Sequence, residues 1–147
     1  MNNKFYMEFP ALACNEAFAR MVVSGFVMEL DPTCEELSEI KTAVSEAVTN
    51  AIIHGYEEKG GTVYFEGEIK DKTVTLKISD KGRGIENIAL ARTPLYTGAT
   101  GGERSGMGFT IMEAFMDNLE ITSKEDEGTT VILTKILLDE GEVAKNE

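Results

Sequence analysis

Three short segments, each joining regular structure to a glycine-bearing loop, constrain this chain more than any other feature. Glu46-Ala-Val-Thr-Asn50-Ala-Ile-Ile-His54-Gly55 reads as the second half of a helix. Asp80-Lys81-Gly82-Arg83-Gly84-Ile85 follows an alternating strand, and Arg104-Ser105-Gly106-Met107-Gly108-Phe109 opens another helix. A fold that uses all three must bring a polar helix edge, a strand end and a helix start to one place. Singly, each has an ordinary explanation. Glu46 and Asn50 fit the solvated edge of an amphipathic helix, Asp80 a turn in which it bonds its own backbone, and the last glycines a hinge beside a surface Arg. Together and in this order they supply a metal-binding amide, a lone carboxylate and two loops bare enough for phosphates to approach the backbone. The trio points to an ATP site.

The elements between these segments can be read from periodicity. Phe5, Met7 and Phe9 alternate with polar or amphipathic neighbours, a short strand ended by Pro10. Asn15 reads as the cap of a helix to about residue 30, with Phe18, Met21, Val22, Phe26 and Leu30 near helical spacing. Asp31-Pro32-Thr33 breaks the chain, and Thr33 with Glu36 matches a capping box for a second helix, closed by Gly55 at a C′ position. Residues 63–69 and 73–79 read as a hairpin turning near Asp71-Lys72, with Val74, Leu76 and Ile78 on one face. From residue 87 to about 106, Pro94, Gly98, Gly101, Gly102 and Gly106 predict a long lid. A helix over 108–116 and strands over 119–123 and 130–137 follow, joined through Glu125-Asp-Glu-Gly128. The order β-α-α-β-β-lid-α-β-β predicts the α+β class. It describes a two-layer α/β sandwich, a mostly antiparallel mixed sheet covered on one face by helices.

Size and charge narrow the function. At 147 residues the chain fits a single domain, here placed at 1–137, with residues 138–147 an acidic, disordered tail. With 26 acidic and 14 basic side chains the net charge is −12. That field repels DNA and RNA, which excludes a direct nucleic-acid partner. It also repels ATP, so a nucleotide site needs a divalent cation and backbone donors. Cys14 and Cys34 lack metal-ligand spacing and read as reduced thiols. With no leader-like start and no apolar run near the ~20 residues of a membrane span, a soluble cytoplasmic protein with no membrane partner is expected.

Residue chemistry gives each segment a candidate role. Glu46, Asn50 and His54 fall in one stripe roughly 80° wide at about 100° per residue. Ile40, Val44, Ala47 and Ala51 form the neighbouring stripe that should face the sheet, so the polar stripe lies at the border of the core. Asn50 can offer Mg²⁺ a neutral oxygen while phosphates and water supply the rest. Glu46 can take a proton from an attacking hydroxyl. Asp80 can accept from the exocyclic amine of adenine, with Gly82 and Gly84 letting backbone come close to base or ribose. Ser105, Gly106, Met107 and Gly108 offer free N–H groups and a helix dipole to an anion. Arg104 adds a fork of donors for the terminal phosphate. His54, at a helix end, reads as structural, and Met107, Met112 and Met116 as core filler.

These residues resemble the nucleotide-binding fold shared by DNA gyrase, the Hsp90 chaperone, histidine kinases and MutL, the Bergerat-type fold. The Glu46–Gly55 helix resembles its N box, Asp80–Ile85 its first glycine box and Arg104–Phe109 its second. Thr129-Thr130 after Gly128 match the strand-start threonine that closes the adenine pocket. A closer similarity is to the bacterial anti-sigma-factor serine kinases of the partner-switching type, over about residues 4 to 136. It is carried by Asn15-Glu16-Ala17-Phe18-Ala19-Arg20, Leu30-Asp31-Pro32-Thr33, the run from Glu39 to Tyr56, and Arg104 through Asp117. Within it the sporulation branch, which acts on sigma factor F, is the most similar.

The resemblance implies ATP or ADP with Asp80 at the adenine, Asn50 on Mg²⁺, and Gly82, Gly84 and Ile85 among the nucleotide-binding residues. Ser105 to Phe109 would lie at the phosphates, with Thr129 and Thr130 at the pocket edge. Glu46 and Arg104 would be catalytic, acting on a serine of an anti-anti-sigma factor. It also implies a homodimer and partner contacts at Glu16 and Arg20, a pair that alone fits a plain surface ion pair. A stress-response type kinase, and a nucleotide-dependent binding module without phosphotransfer, are the alternatives.

Overall fold

Thr33 starts the helix that organises the molecule. In the computed structural model, which describes residues 2–92 and 108–138, its hydroxyl accepts from the Glu36 N–H at 3.0 Å, and Glu36 Oε1 accepts from the Thr33 N–H at 2.9 Å. The capping box read from the sequence is present. Helix α2 (Cys34–Asn50) then buries Ile40, Ala43, Val44, Ala47 and Val48. One π-helical turn over Ala51–Gly55 continues it, closed by a Tyr56 N–H to Ala51 O bond of 3.0 Å. Gly55 is therefore inside that turn, not the left-handed C′ residue expected from the sequence; the helix is capped at Tyr56.

Among the described residues, five strands make one sheet. They are β1 (Asn2–Pro10), β2 (Thr62–Lys70), β3 (Thr73–Asp80), β4 (Asn118–Lys124) and β5 (Gly128–Ile136), in the order β1-β2-β3-β5-β4. Each of the four pairings is antiparallel. The order is what matters for function. It places β3 beside β5, so that Asp80 at the end of one faces Thr129 at the start of the other. Helices α1 (Asn15–Val27), α2 and α4 (Gly108–Phe115) pack together over this sheet.

The core lies between the two layers. Val63, Phe65 and Ile69 of β2, Val74, Leu76 and Ile78 of β3, and Val131 and Leu133 of β5 are buried with Ala19, Val23 and Val27 of α1. Each such branched or aromatic side chain contributes about 1.5–3 kcal/mol by leaving water. Phe5 adds edge-to-face contacts with Phe26 and Phe65, its ring centre 4.7 and 5.0 Å from theirs. The alternation of β3 read from the sequence is present, as is the core role of Met112 and Met116.

Three local expectations are corrected. Asn15 is the first residue of α1 rather than its cap; its amide donates to Pro10 O at 2.8 Å and ties the helix start to β1. The helix stops at Val27, and a 3₁₀ turn over Met28–Leu30 leads to Asp31 with φ 51°. The start of the expected lid is also regular. Asn87 Oδ1 accepts from the Leu90 N–H at 3.0 Å and caps a short helix, α3 (Ile88–Ala91). The rest of the lid, Arg104, Ser105, Gly106 and Met107 with it, lies outside the described residues, as does the tail from residue 139.

Candidate nucleotide site

A cavity of about 800 Å³ opens where α2, β3, β5, α3 and the start of α4 meet. Its apolar wall is Ala47, Ala51, Ile78, Phe109 and Val131, and Asn50, His54, Asp80, Ile85 and Thr129 also line it. All three sequence segments thus contribute to one concavity, through the described part of each. Charged side chains, among them Arg83, Glu86, Glu125 and Asp126, complete the rest of the lining.

Asp80 sits at the floor, only 8% exposed. Burial pushes its carboxyl up to about 6, while the N–H groups of Gly82 and Thr129 pull the other way by bonding the charged form. The Gly82 bond is 2.9 Å. Gly55 explains the close seat of this carboxylate. A β-carbon there would lie 2.7 Å from Asp80 Cγ, so only glycine lets the π turn pack against the acid. Arg83, on the loop after Asp80, secures the same turn. Its N–H donates to Gly55 O at 2.9 Å and its Nε to His54 O at 3.0 Å. Tyr56 completes the clamp, donating its hydroxyl to Thr62 O at 2.6 Å and accepting from the Lys81 N–H at 2.7 Å.

At the other end, α4 begins against the polar edge of α2. A β-carbon on Gly108 would lie 3.2 Å from both Asn50 Nδ2 and Glu46 Oε2, and 3.3 Å from Asn50 Oδ1. Glu46 and Asn50 therefore converge on Gly108, half-buried at the border of the core as the helical stripe predicted. Sequence placed these residues on two unrelated segments; the structure brings them within contact.

The remaining expected residues divide. Gly84 and Ile85 line the cavity. Thr129 lines it too, but Thr130 does not. Strand alternation turns Thr130 to the opposite face of the sheet, where its hydroxyl lies 3.2 Å from Ser79 Oγ. Away from the cavity, Arg20 Nε approaches Glu16 Oε1 at 2.8 Å, and the Ser45 hydroxyl donates to Glu16. The i,i+4 pair is real, and it is also anchored to α2. Among groups that sequence reading missed, Ser123 stands out. Its hydroxyl accepts from the Ile85 N–H at 2.7 Å and donates to Gly128 O at 3.0 Å. A single serine in a strand carries no signal of such a role.

The fold and cavity define a class, the histidine kinase-like ATPase domain, whose family model matches residues 9–135. Solved structures agree in fold. The chain is similar to a Mycobacterium tuberculosis structure of RsbU and RsbW domains (TM-score 0.67, 20% identity, 92% of this chain and 32% of that one). It is also similar to the catalytic domain of histidine kinase ThkA (TM-score 0.55, 17% identity, 90% and 96%). Curated relatives are far nearer. The anti-sigma F factor of Anoxybacillus flavithermus is 59% identical over 93% of this chain and 94% of its own. That of Clostridium acetobutylicum is 53% identical over 92% and 94%. The chain belongs to the anti-sigma F factor family.

Proposed function

We propose that this chain binds and inhibits sigma factor F and, as a homodimer, uses Mg²⁺-ATP to phosphorylate a serine on its anti-anti-sigma partner. The convergence of Glu46 and Asn50 on Gly108, beside a cavity floored by Asp80, is the observation that carries this reading. Adenine would lie over Ala47, Ile78 and Val131 with its amine at Asp80. Its triphosphate would then run toward Gly108. Arg104, Ser105, Gly106 and Met107, which precede α4 in the sequence, would be the phosphate-binding residues in this reading. Among the described residues no cluster of three or more His, Cys, Asp or Glu side chains is arranged to hold a metal. The donor set fits Mg²⁺ held by Asn50 and phosphate oxygens, since this ion keeps few protein ligands. When bound it would neutralise phosphate charge.

In the transfer, Glu46 takes the proton of the serine hydroxyl as that oxygen bonds the γ-phosphorus and the bond to the ADP oxygen breaks. Glu16 and Arg20, held together and to Ser45, present a fixed charged patch for the protein partners. No helix among the described residues is long and apolar enough to cross a membrane, which suits encounters with both partners in the cytoplasm.

The test is Glu46→Gln with γ-labelled ATP and the anti-anti-sigma protein. ATP affinity stays within a few-fold, while labelled serine forms on the order of 10²-fold more slowly, or slower still. Normal transfer by the variant removes Glu46 from the base role. No labelled serine with the unaltered protein would instead leave a nucleotide-gated binding module.

A further inference from the structure

Val131, Leu133 and Lys135 alternate along the buried side of β5, and the lysine is only 8% exposed. A lysine is seldom so buried unless it is paired. Lys135 Nζ donates to Phe115 O, the last carbonyl of α4, at 2.7 Å and lies 3.8 Å from Glu39 Oε1 of α2. A cationic donor suits a helix C-terminus, where carbonyls lack partners. Asp117 ties the same end to the same strand. Its N–H donates to Thr134 O at 2.9 Å, and its carboxylate accepts from the Ile136 N–H at 2.6 Å. At the other end of α4, Gly108 meets Glu46 and Asn50. Glu39 to Glu46 on α2 and Gly108 to Phe115 on α4 each span about two turns, or about 10 Å. The two helices therefore run antiparallel and meet in step at both ends.

We propose that Lys135 sets how far α4 sits along α2, and thereby holds Gly108 against the Glu46–Asn50 edge. Apolar contact between two helices is non-directional and tolerates a small slide. A hydrogen bond to one carbonyl and a pairing with one carboxylate do not. Burial alone gives no reason for an amine here, since an apolar side chain of similar volume fills such a place at no loss of stability. Lys135 lies outside the cavity lining and acts through α4, so it is a positioning residue. Its effect on phosphate transfer rests on the kinase reading above; its effect on where Gly108 sits does not.

Nitrogen-15 NMR of the nucleotide-free full chain reads that placement. Lys135→Met keeps the apolar stem and removes the donor. It moves the resonances of the Gly108 amide and the Asn50 side-chain amide, about two turns away along the helices. Lys135→Arg supplies a donor again and returns both toward their original positions. Unmoved signals in folded Lys135→Met, or no recovery with arginine, overturn the proposal. Should the methionine variant not fold, Glu39→Gln alters only a partly exposed side chain and moves the same two signals; if they stay in place, the proposal fails. With γ-labelled ATP and the anti-anti-sigma protein, Lys135→Met lowers kcat about ten-fold and leaves KM for ATP within about three-fold. A lower Tm with unchanged kcat makes Lys135 a structural prop and overturns the proposal. Absence of transfer by the unaltered protein fails the kinase reading instead, and the NMR comparison still decides the role of Lys135.

Discussion

Asp80 carries a charge that the fold resists and the ligand rewards. Its carboxyl is raised from 3.8 to about 6 by burial, which offsets the pull of two backbone N–H groups. In the window between those values the native state holds a proton that the unfolded chain has released. Stability contributed by this group is therefore greatest at low pH and falls as pH rises toward 6, the reverse of the usual salt-bridged acid. Denaturant unfolding of the protein and of Asp80→Asn, followed from pH 4.5 to 7, should show the variant gaining on the parent as pH rises. A constant difference would mean that the carboxyl titrates near its ordinary value. Binding has the opposite sign. An adenine amine needs the charged acceptor, so ATP affinity should fall as pH drops through about 6. At pH 7.5 Asp80→Asn should lose at least about 1–3 kcal/mol of ATP affinity. Unchanged affinity in that titration would move the adenine elsewhere.

Among the elements, α2 links folding to function, because its N-terminus is fixed locally and its C-terminus by tertiary contact. Thr33→Ala removes one arm of the capping box and should cost about 1 kcal/mol, or about 3 °C in Tm, with ATP affinity unchanged. A large loss of binding would show that the cap transmits strain to the distant end, some four turns away. The same contrast explains what could be read in advance. The capping box, the strand alternation of Val74, Leu76 and Ile78, and the half-buried stripe of Glu46 and Asn50 all follow from spacing within one segment, and all three are present. The π turn does not follow, since Gly55 is dictated by the carboxylate of Asp80 packed against it from another strand. Thr129 and Thr130 could not be told apart, because adjacent strand residues point to opposite faces and only the register with β3 says which face holds the cavity. Ser123 was invisible for the same reason: its partners come from β5 and from the loop after β3.

At the scale of the molecule, a net charge of −12 surrounds a site that, in the proposed reaction, accepts a triphosphate and then releases a phosphorylated protein. The first task needs local donors and a cation that overcome the field. The second is helped by it. A phosphoserine carries about −1.5 to −2 of charge at neutral pH, and an acidic surface disfavours its return by a through-space repulsion that salt screens. The screening length shrinks from about 10 Å at 0.1 M to about 3 Å at 1 M salt. The preference for the unphosphorylated over the phosphorylated partner should therefore narrow as salt is raised from 0.1 to 1 M, measured as the ratio of the two Kd values in each buffer. A ratio independent of salt would assign the discrimination to direct contact with the phosphoserine, a clash or a lost hydrogen bond at short range. In that case charge-reversing changes far from the interface would leave the switch untouched. If the field is the cause, neutralising several exposed acids on the sheet, such as Glu66 and Glu68, should bring the two affinities together without altering phosphate transfer.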